Sequence, residues 1–347
     1  MISVTKSTSP IVEYHNTIGL CTMEGRGFMF PVDTAFDSNG YIYTINRGHK
    51  ADPRTIRITK YNIHSEFFGT FLSYGNNDGQ LLTPSSIAID KNNNIYTCDE
   101  LTSTVTIFDS NGKFINKWGH KGKGKSDLDG PTSIIFDQNE DIYISDQYNH
   151  RIQKFTNEGK FLLSFGSYGN NNSQLNLPWG ISIDNNNNIF VANWRNNRIE
   201  KFSDDGKFIA QFGNYGNKEG ELNRPSSVVV DNKEYIYVAD WGNERIQIYD
   251  NKGIYISQIR GQATVSKWAQ EFLDSNLEEA SARSKANLKP DISQFNNDPH
   301  EESSHIEEFF WGPTSVKIHK NKLYVTESNR HRVQIYNILT WFLLFYK

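Results

Sequence analysis

Short apolar runs alternate with polar turns along most of the chain, in a pattern that predicts β-strands. From Pro131 onward the runs "TSIIF", "IYISD", "RIQKF" and "FLLSFG" are separated by "DQNED", "QYNH" and "TNEGK". Runs rich in Ile, Tyr and Phe and bounded by Asp, Asn and Gly are typical of strands joined by tight turns. The pattern therefore predicts a unit of four antiparallel strands.

The unit is repeated, and a proline marks the start of each copy. These prolines are Pro31, Pro84, Pro131, Pro178, Pro225 and Pro313. Three successive intervals of 47 residues give the period, and the intervals of 53 and 88 indicate insertions of 6 and 41 residues. One four-stranded sheet cannot bury both of its apolar faces, so copies must pack around an axis. We predict an all-β fold, a six-bladed β-propeller of four-stranded antiparallel blades that forms a single domain over 1–347.

The spacing of the glycines that end the fourth strands predicts how the ring closes. Gly119, Gly166 and Gly213 each precede the next proline by 12 residues, and Gly19 precedes Pro31 by the same number. The N-terminal segment 11–19 is thus predicted to supply the outer strand of the last blade, which removes an open sheet edge. The C-terminal segment 338–347 competes for the same place, and we favour the N-terminal one.

One phrase recurs in the loop between the second and third strands. "SDQYNHRIQKF" (145–155) returns in similar form at 192–202, 239–249 and 326–336. Its acidic or amide position is occupied by Asn46, Asp99, Asp146, Asn193, Asp240 and Glu327. Its basic position is occupied by Arg57, Arg151, Arg198, Arg245 and Arg332, and the second blade has Thr104 instead. A motif in every unit is more typical of architecture than of catalysis. We expect the acid to accept loop N–H groups and the arginine to bridge neighbours, with His150 and His331 structural as well.

The phrase "YNHRIQKF" resembles the motif of the NHL-repeat family, and "PWGISIDNNNNIFVAN" and "ADWGNERIQIYD" are similar to its consensus. The resemblance covers roughly 12–337 apart from the long insertion. It implies a six-bladed propeller. NHL propellers include protein-binding and RNA-binding modules, receptor sensor domains and some lyases, so the function must be argued from the site.

Composition narrows the classes of partner. The chain is 37% hydrophobic and 22% charged, and its net charge of −4 provides no global basic field for nucleic acid or an anionic membrane. Two cysteines, Cys21 and Cys98, are too few for a disulfide framework or a cysteine-based zinc site. The N-terminus "MISVTKSTSP" lacks the apolar core of a secretion signal, and "WFLLFYK" is too short to span a bilayer. We expect a cytoplasmic monomer.

Antiparallel blades place the loops between second and third strands on the same face as the loops between blades, and we call this the loop-rich face. Both insertions, near 47–54 and between 260 and 313, fall on it. Tryptophan and arginine are typical anchors of binding surfaces, although the tryptophans could instead pack between blades. The candidate binding residues of this face are Arg47, Tyr148, Trp179, Trp194, Arg195, Arg224 and Trp241.

The 262–310 insertion departs from the β pattern. Val265, Trp268, Phe272 and Leu273 are spaced as on one face of a helix, and the acidic stretch 298–309 suggests a loop or short helix. Such a segment could be a lid, a partner-docking element or a simple cover. We add Trp268 to the candidate partner-binding residues.

Two charged residues interrupt the small or apolar positions predicted to line the axis. Asp33 stands where other units have serine or glycine, and Lys317 stands in the adjacent blade, so an axial charge pair is expected. The pair could be structural or could bind a polar ligand.

The histidines His49, His64, His120 and His319 occupy non-equivalent positions and form no metal-binding motif. We therefore assign no catalytic residues, no metal and no cofactor. The lysines at 121, 123 and 125 are followed by acidic residues, which disfavours RNA.

The sequence favours a non-catalytic binding or scaffolding module whose loop-rich face meets a protein or a small polar ligand. One alternative is a metal-dependent lyase or hydrolase with an axial site beneath the 262–310 insertion. A second is a module for single-stranded RNA.

Overall fold

The computed structural model describes residues 11–49, 52–295 and 298–339. These residues form six four-stranded antiparallel sheets, each with its strands in meander order, and two further two-stranded sheets in the loops between blades. The first strands of neighbouring blades contact one another around the ring. The protein is thus a six-bladed β-propeller, as predicted.

Each blade opens at one of the six repeated prolines, and its strands follow one another from the axis outward. Blade 1 comprises Pro31–Phe36, Ile42–Asn46, Arg57–Tyr61 and Phe67–Phe71. Blade 2 comprises Pro84–Ile89, Ile95–Asp99, Thr104–Phe108 and Phe114–Trp118. Blade 3 comprises Pro131–Phe136, Ile142–Asp146, Arg151–Phe155 and Phe161–Phe165.

The remaining blades follow the same order. Blade 4 comprises Pro178–Ile183, Ile189–Asn193, Arg198–Phe202 and Phe208–Phe212. Blade 5 comprises Pro225–Val230, Ile236–Asp240, Arg245–Tyr249 and Tyr255–Ile259. Blade 6 comprises Pro313–His319, Lys322–Glu327, Arg332–Ile338 and, as its outer strand, Val12–Gly19.

The outer strand of blade 6 closes the ring. It runs antiparallel to the third strand of that blade, with Val12 opposite Ile338 and Gly19 opposite Arg332. Ile18 is fully buried in this arrangement. The prediction that the N-terminal segment fills this place is confirmed, while residues 340–347 of the competing segment lie outside the described residues.

The hydrophobic core lies between neighbouring blades. One buried cluster, for example, joins Tyr43 and Ile58 of blade 1 to Ile87 and Phe108 of blade 2. Second and third strands are buried almost throughout because both of their faces meet another blade. The β-branched and aromatic runs of the sequence fit this two-sided burial.

The described part of the insertion before blade 6 contains three α-helices. They are α1 (Lys267–Ser275), α2 (Leu277–Lys285) and α3 (Pro299–His305). Ser266 caps α1 by accepting a hydrogen bond from the Ala269 N–H, and Asp298 caps α3 in the same way through the His300 N–H. The helical character predicted for this segment is confirmed. No helix among the described residues is long and apolar enough to cross a membrane.

Candidate functional site

The recurring phrase forms a buried polar network, which blade 3 illustrates. The Asp146 carboxylate accepts hydrogen bonds from the Arg151 Nε at 2.7 Å, the Asn149 Nδ2 at 2.9 Å and the Asp129 N–H at 2.6 Å. The Arg151 guanidinium also donates to the carbonyl oxygens of Gly124 and Asp127 in the loop that enters the blade. Burial raises the pKa of Asp146, which these hydrogen bonds partly offset. The predicted structural role is confirmed.

Blade 4 forms a similar network, in which the carboxylate lies on the third strand. Asn193 replaces the aspartate, and Glu200 on the next strand supplies the carboxylate for Arg198, whose Nε lies 2.7 Å from the Glu200 Oε1. The Asn193 Nδ2 donates to Glu200 at 3.0 Å and to the Gln174 carbonyl at 3.0 Å. Blades 3 and 4 therefore each keep one carboxylate in this network, at different positions along the chain.

His150 and His331 fix the loops between blades. The Nδ1 of His150 accepts from the Leu177 N–H at 3.1 Å, and that of His331 accepts from the Phe30 N–H at 3.0 Å. Burial lowers the pKa of His331 to about 4, so the ring is neutral and can act as an acceptor. Their predicted structural role is confirmed.

Around the axis, the residue two positions after the proline ties each blade to the next. This residue accepts a backbone N–H of the following blade in four pairs: Asp33 with Ile87, Ser86 with Ile134, Ser133 with Ile181 and Ser227 with Val316. In blade 4 the position is Gly180, which has no side chain to accept. A Cβ on Gly180 would lie 2.6 Å from the Ser226 carbonyl oxygen, so blade 5 packs directly against it.

The predicted axial pair lies within this ring. The Lys317 Nζ is 3.5 Å from the Asp33 carboxylate, which also accepts from the hydroxyls of Ser86 and Ser315 at 2.6 Å each. The cavity beside the pair has about 20 Å³, enough for a water molecule and too small for a metabolite. The geometry favours a structural pair over a ligand site.

A larger pocket opens above the axis on the loop-rich face, and we call it the central pocket. Its volume is about 440 Å³. Every blade or its preceding loop contributes to the lining, which consists of Arg47, Glu100, Gln147, Tyr148, Leu177, Trp179, Trp194, Arg195, Ser226, Trp241 and Thr314. Six of the residues selected from the sequence are thus brought together.

The loop turns place the tryptophans at this pocket. Trp194 and Trp241 each begin a short 3-10 turn, Trp194–Asn196 and Trp241–Asn243, that follows the second strand of the blade. Trp179 approaches from the first strand of blade 4, with its ring centroid 5.7 Å from that of Trp194. All three side chains are half-buried, so each leaves part of its ring accessible.

The arginines of the site fall into two groups. The Arg47 guanidinium lies 2.5 Å from the Glu100 carboxylate, which also accepts from the Tyr148 hydroxyl at 2.9 Å. The Arg195 and Arg224 guanidiniums instead lie over the Trp194 ring, 5.7 and 5.2 Å from its centroid. Arg224 does not line the pocket, but it contacts the ring of Trp194, which does.

Sequence reasoning missed Glu100 and Gln147 as pocket residues. Both occupy the position directly after the Asp of the phrase, where other blades have Arg47, Trp194 and Trp241. That shared position was the signal that could have identified them. Thr314 and Ser226 were not identified from the sequence either, because both follow a repeated proline and look like ordinary axial residues.

Trp268 does not belong to the candidate surface. Its side chain is fully buried, its indole N–H donates to the Ser65 carbonyl at 2.7 Å, and its ring packs against Phe28 and Tyr61. The expectation that it contacts a partner is wrong. The helical pattern that revealed α1 could not distinguish a face packed on the propeller from one left for a ligand.

The insertion lies beside the central pocket rather than over it. Helix α1 packs on the outer strand of blade 6, and α3 packs on the Trp241–Asn243 turn. Arg260, directly after the outer strand of blade 5, binds Glu302 at 2.8 Å and holds the segment to the propeller, while Arg283 binds Glu307 at 2.7 Å within the segment. No described residue of 262–310 lines the central pocket. The described part of the insertion therefore does not cover this pocket, and an axial site of the lyase or hydrolase kind stays a prediction from the sequence.

A second pocket of about 560 Å³ adjoins the first and shares Arg47 with it. Its lining is mostly apolar and includes Phe30, Pro53, Leu82 and Leu101. The six-residue insertion of blade 1 thus shapes one wall of the loop-rich face.

Over the ranges that the structure describes, no three His, Cys, Asp or Glu side chains are grouped so that they could hold a metal ion. The four histidines weighed as metal ligands from the sequence, His49, His64, His120 and His319, belong to no such group among the described residues. Burial lowers the pKa of His319, whose ring stacks on Phe36 at 4.5 Å.

Comparison with solved structures shows the same fold at low sequence identity. A streptogramin B lyase matches with a TM-score of 0.57 at 11% identity, covering 93% of this chain and 97% of the lyase. A catalytically inactive virginiamycin B lyase from Staphylococcus aureus, solved with quinupristin, matches with a TM-score of 0.58 at 11% identity, covering 94% and 100%. A protein of unknown function from Bacteroides thetaiotaomicron matches with a TM-score of 0.57 at 15% identity, covering 93% and 72%. At such identities the likeness concerns the fold alone.

No curated protein matches the sequence. A family described as "6-bladed beta-propeller" does match, over residues 55–165 and 180–277, which is more than half of the chain. The chain belongs to this 6-bladed beta-propeller family.

Proposed function

We propose that the protein is a non-catalytic binding propeller of the NHL-repeat type, which uses the central pocket on its loop-rich face to hold a protein or a small polar ligand. The repeated phrase and its structural histidines support the NHL assignment. The observation that carries the binding function is the position of Trp179.

In blades 2, 3 and 5, the residue directly after the repeated proline joins its blade to the next one. The hydroxyls of Ser85, Thr132 and Ser226 donate to the proline carbonyl of the next blade, at 2.6, 3.2 and 2.8 Å. Trp179 in blade 4 occupies the same position and has no hydroxyl. Blade 4 therefore lacks this hydrogen bond to the next blade. In its place, the Trp179 indole lies beside Trp194 and adds an aromatic surface to the pocket above the axis.

The pocket chemistry favours binding over catalysis. Its lining contains a single carboxylate, Glu100, and that group is held by Arg47 and Tyr148. General acid–base catalysis uses a group that is free to exchange a proton with the substrate. Aromatic rings and guanidinium groups are instead the usual anchors of recognition surfaces. The structural likeness to the lyases therefore carries no activity to this chain.

We further propose that the protein works as a monomer in the cytoplasm. Both cysteines are free thiols, with Cys21 exposed and Cys98 buried, and this fits a reducing compartment.

The binding function can be tested by capture from a native cell extract. Trp194→Ala, Trp241→Ala and Arg195→Ala should each reduce retention of the bound component about thirtyfold, because loss of a central tryptophan or arginine typically costs more than ~2 kcal/mol of binding. The matched controls Asn187→Asp and Asp205→Asn alter turns of the opposite face and should retain it. Loss of binding in the controls but not in the pocket variants would show that the binding site lies on the opposite face.

A further inference from the structure

Two arginines at the central pocket have no hydrogen-bond acceptor for their guanidinium groups within the described part of the protein. Within the described residues, which include every arginine of the chain, all but two guanidinium groups donate to a carboxylate or to a backbone carbonyl. Arg151, Arg245 and Arg332 bind the acids of their own phrase, for example, while Arg57 and Arg330 bind backbone carbonyls. The exceptions are Arg195 and Arg224, and both lie against Trp194.

This local charge contrasts with that of the whole protein. The chain has a net charge of −4, and the one acid of the pocket, Glu100, is neutralised by Arg47. The two remaining guanidiniums are exposed, so they keep their capacity to form paired hydrogen bonds with an incoming anion. An acidic protein that places its two unpaired arginines on one tryptophan of the pocket wall, with Arg195 in the lining and Arg224 beside it, has the electrostatics of an anion site.

The tryptophans specify the other half of the ligand. Trp179 and Trp194 lie with their centroids 5.7 Å apart at an angle of 45°, and Trp241 joins them in the pocket wall. Half-buried indole rings attract flat, apolar groups that can stack on their faces or edges. A volume of about 440 Å³ falls within the range of pockets for small molecules.

We propose that the central pocket binds a small organic anion whose carboxylate, sulfonate or phosphate is attached to a flat aromatic ring. The ring packs among Trp179, Trp194 and Trp241, and the anionic group is paired with Arg195 and Arg224. This inference rests on the proposed function, since it names the ligand class of the same pocket.

The test uses probes that share a ring and differ in charge. Isothermal titration calorimetry of the full chain with 2-naphthoate should show binding, and 2-naphthylmethylamine, which places a cation on the same ring, should bind at least about tenfold more weakly. Cyclohexanecarboxylate keeps the anion and lacks the flat ring, and it should also bind at least about tenfold more weakly than naphthoate.

Variants then assign the binding to the pocket. Arg195→Gln combined with Arg224→Gln should weaken naphthoate at least about tenfold, because charge-assisted hydrogen bonds are lost. The control pair Lys207→Gln and Lys252→Gln removes the same charge from exposed positions in far-face turns and should bind naphthoate as the unmodified protein does. Both exchanged arginines are exposed, and unchanged thermal unfolding would confirm that the fold is retained.

Three results would overturn the inference: no heat of binding with millimolar naphthoate, equal affinity for the naphthyl anion and cation, or unchanged affinity in the double arginine variant. The proposed function has a separate readout. If naphthoate fails but Trp194→Ala still loses the component captured from extract, the ligand class is wrong and the binding pocket stands. If neither responds, both fall.

Discussion

The imidazole Nδ1 of His300 on helix α3 lies 2.8 Å from the Oε1 of Glu244 in blade 5. Glu244 is almost fully buried, and its other oxygen accepts from the Gly312 N–H at 2.6 Å. It occupies the position of the phrase where blades 3 and 6 have His150 and His331. In blade 5, Glu244 therefore fixes the loop before the next blade, as the histidines do, and also binds the insertion through His300.

The burial of Glu244 makes stability depend on pH, and the contact with His300 opposes this effect in part. Burial raises the pKa of Glu244 from its usual 4.5 to about 6. The folded state thus holds a proton that the unfolded chain has already released, so the free energy of unfolding falls as the pH rises through that window. The contribution is complete below about pH 4.5 and lost above about pH 6, and it amounts to about 2 kcal/mol.

We expect Glu244→Gln to remove this dependence, because glutamine has the same shape and stays neutral. Thermal unfolding from pH 4 to 8 should show the unmodified protein losing stability relative to the variant between pH 4.5 and 6.5. Glu278→Gln, an exposed exchange on α2, should run parallel to the unmodified protein. A constant difference between Glu244→Gln and the unmodified protein at every pH would contradict the assignment.

Blade 4 predicts how the network of blade 3 can be rebuilt. Asp146→Asn should destabilise the protein by ~3 kcal/mol, because Arg151 loses its buried carboxylate. Adding Gln153→Glu reproduces the Asn193, Arg198 and Glu200 arrangement and should restore most of the loss. Urea unfolding of both single variants and of the double variant gives the coupling energy directly. Additive effects would show that the two networks are not equivalent.

Trp268→Ala should cost ~3–5 kcal/mol of unfolding free energy, the usual range for a large buried aromatic. The loss has two sources, the cavity among Phe28 and Tyr61 and the unpaired Ser65 carbonyl. Phe272→Ala lies on the same helix with a side chain that is 43% exposed, and it should cost clearly less than Trp268→Ala. Naphthoate affinity should be the same in both variants, and a loss of affinity in Trp268→Ala alone would return this residue to the binding surface.

The closing strand can be tested without removing it. Ile18→Ala should lower the free energy of unfolding by ~2–5 kcal/mol, because this side chain of the N-terminal strand is fully buried in the core. Glu13→Ala alters an exposed position of the same strand and should be nearly neutral. Equal, small effects on urea unfolding would mean that this strand contributes little to ring closure.

The period of 47 residues was sufficient to predict the blades, since each copy carries its own strands and turns. The buried acids of the phrase were also predictable, because a residue repeated at one position of each unit acts locally. The pairing of Asp33 with Lys317 followed from their adjacent blades, but the Ser86 and Ser315 hydroxyls that satisfy Asp33 did not.

Contacts between distant segments account for what the sequence did not reveal. Whether Arg195 or Arg224 finds a carboxylate depends on which side chains the neighbouring blades bring within reach, and no local pattern records this. The same applies to Trp268, whose partners come from blade 1, and to the meeting of His300 with Glu244 across 56 residues.

The pairing of Val12–Gly19 with Arg332–Ile338 has a consequence for synthesis on the ribosome. Among the described strands, Val12–Gly19 leaves the ribosome before the others and its partner leaves after them, so it stays unpaired while five complete blades form. Pairings between such distant segments are slow to form and leave edges exposed in the meantime. Until Arg332–Ile338 is made, the five blades form an open arc next to a free strand, and this is the stage at which a chaperone would be most useful.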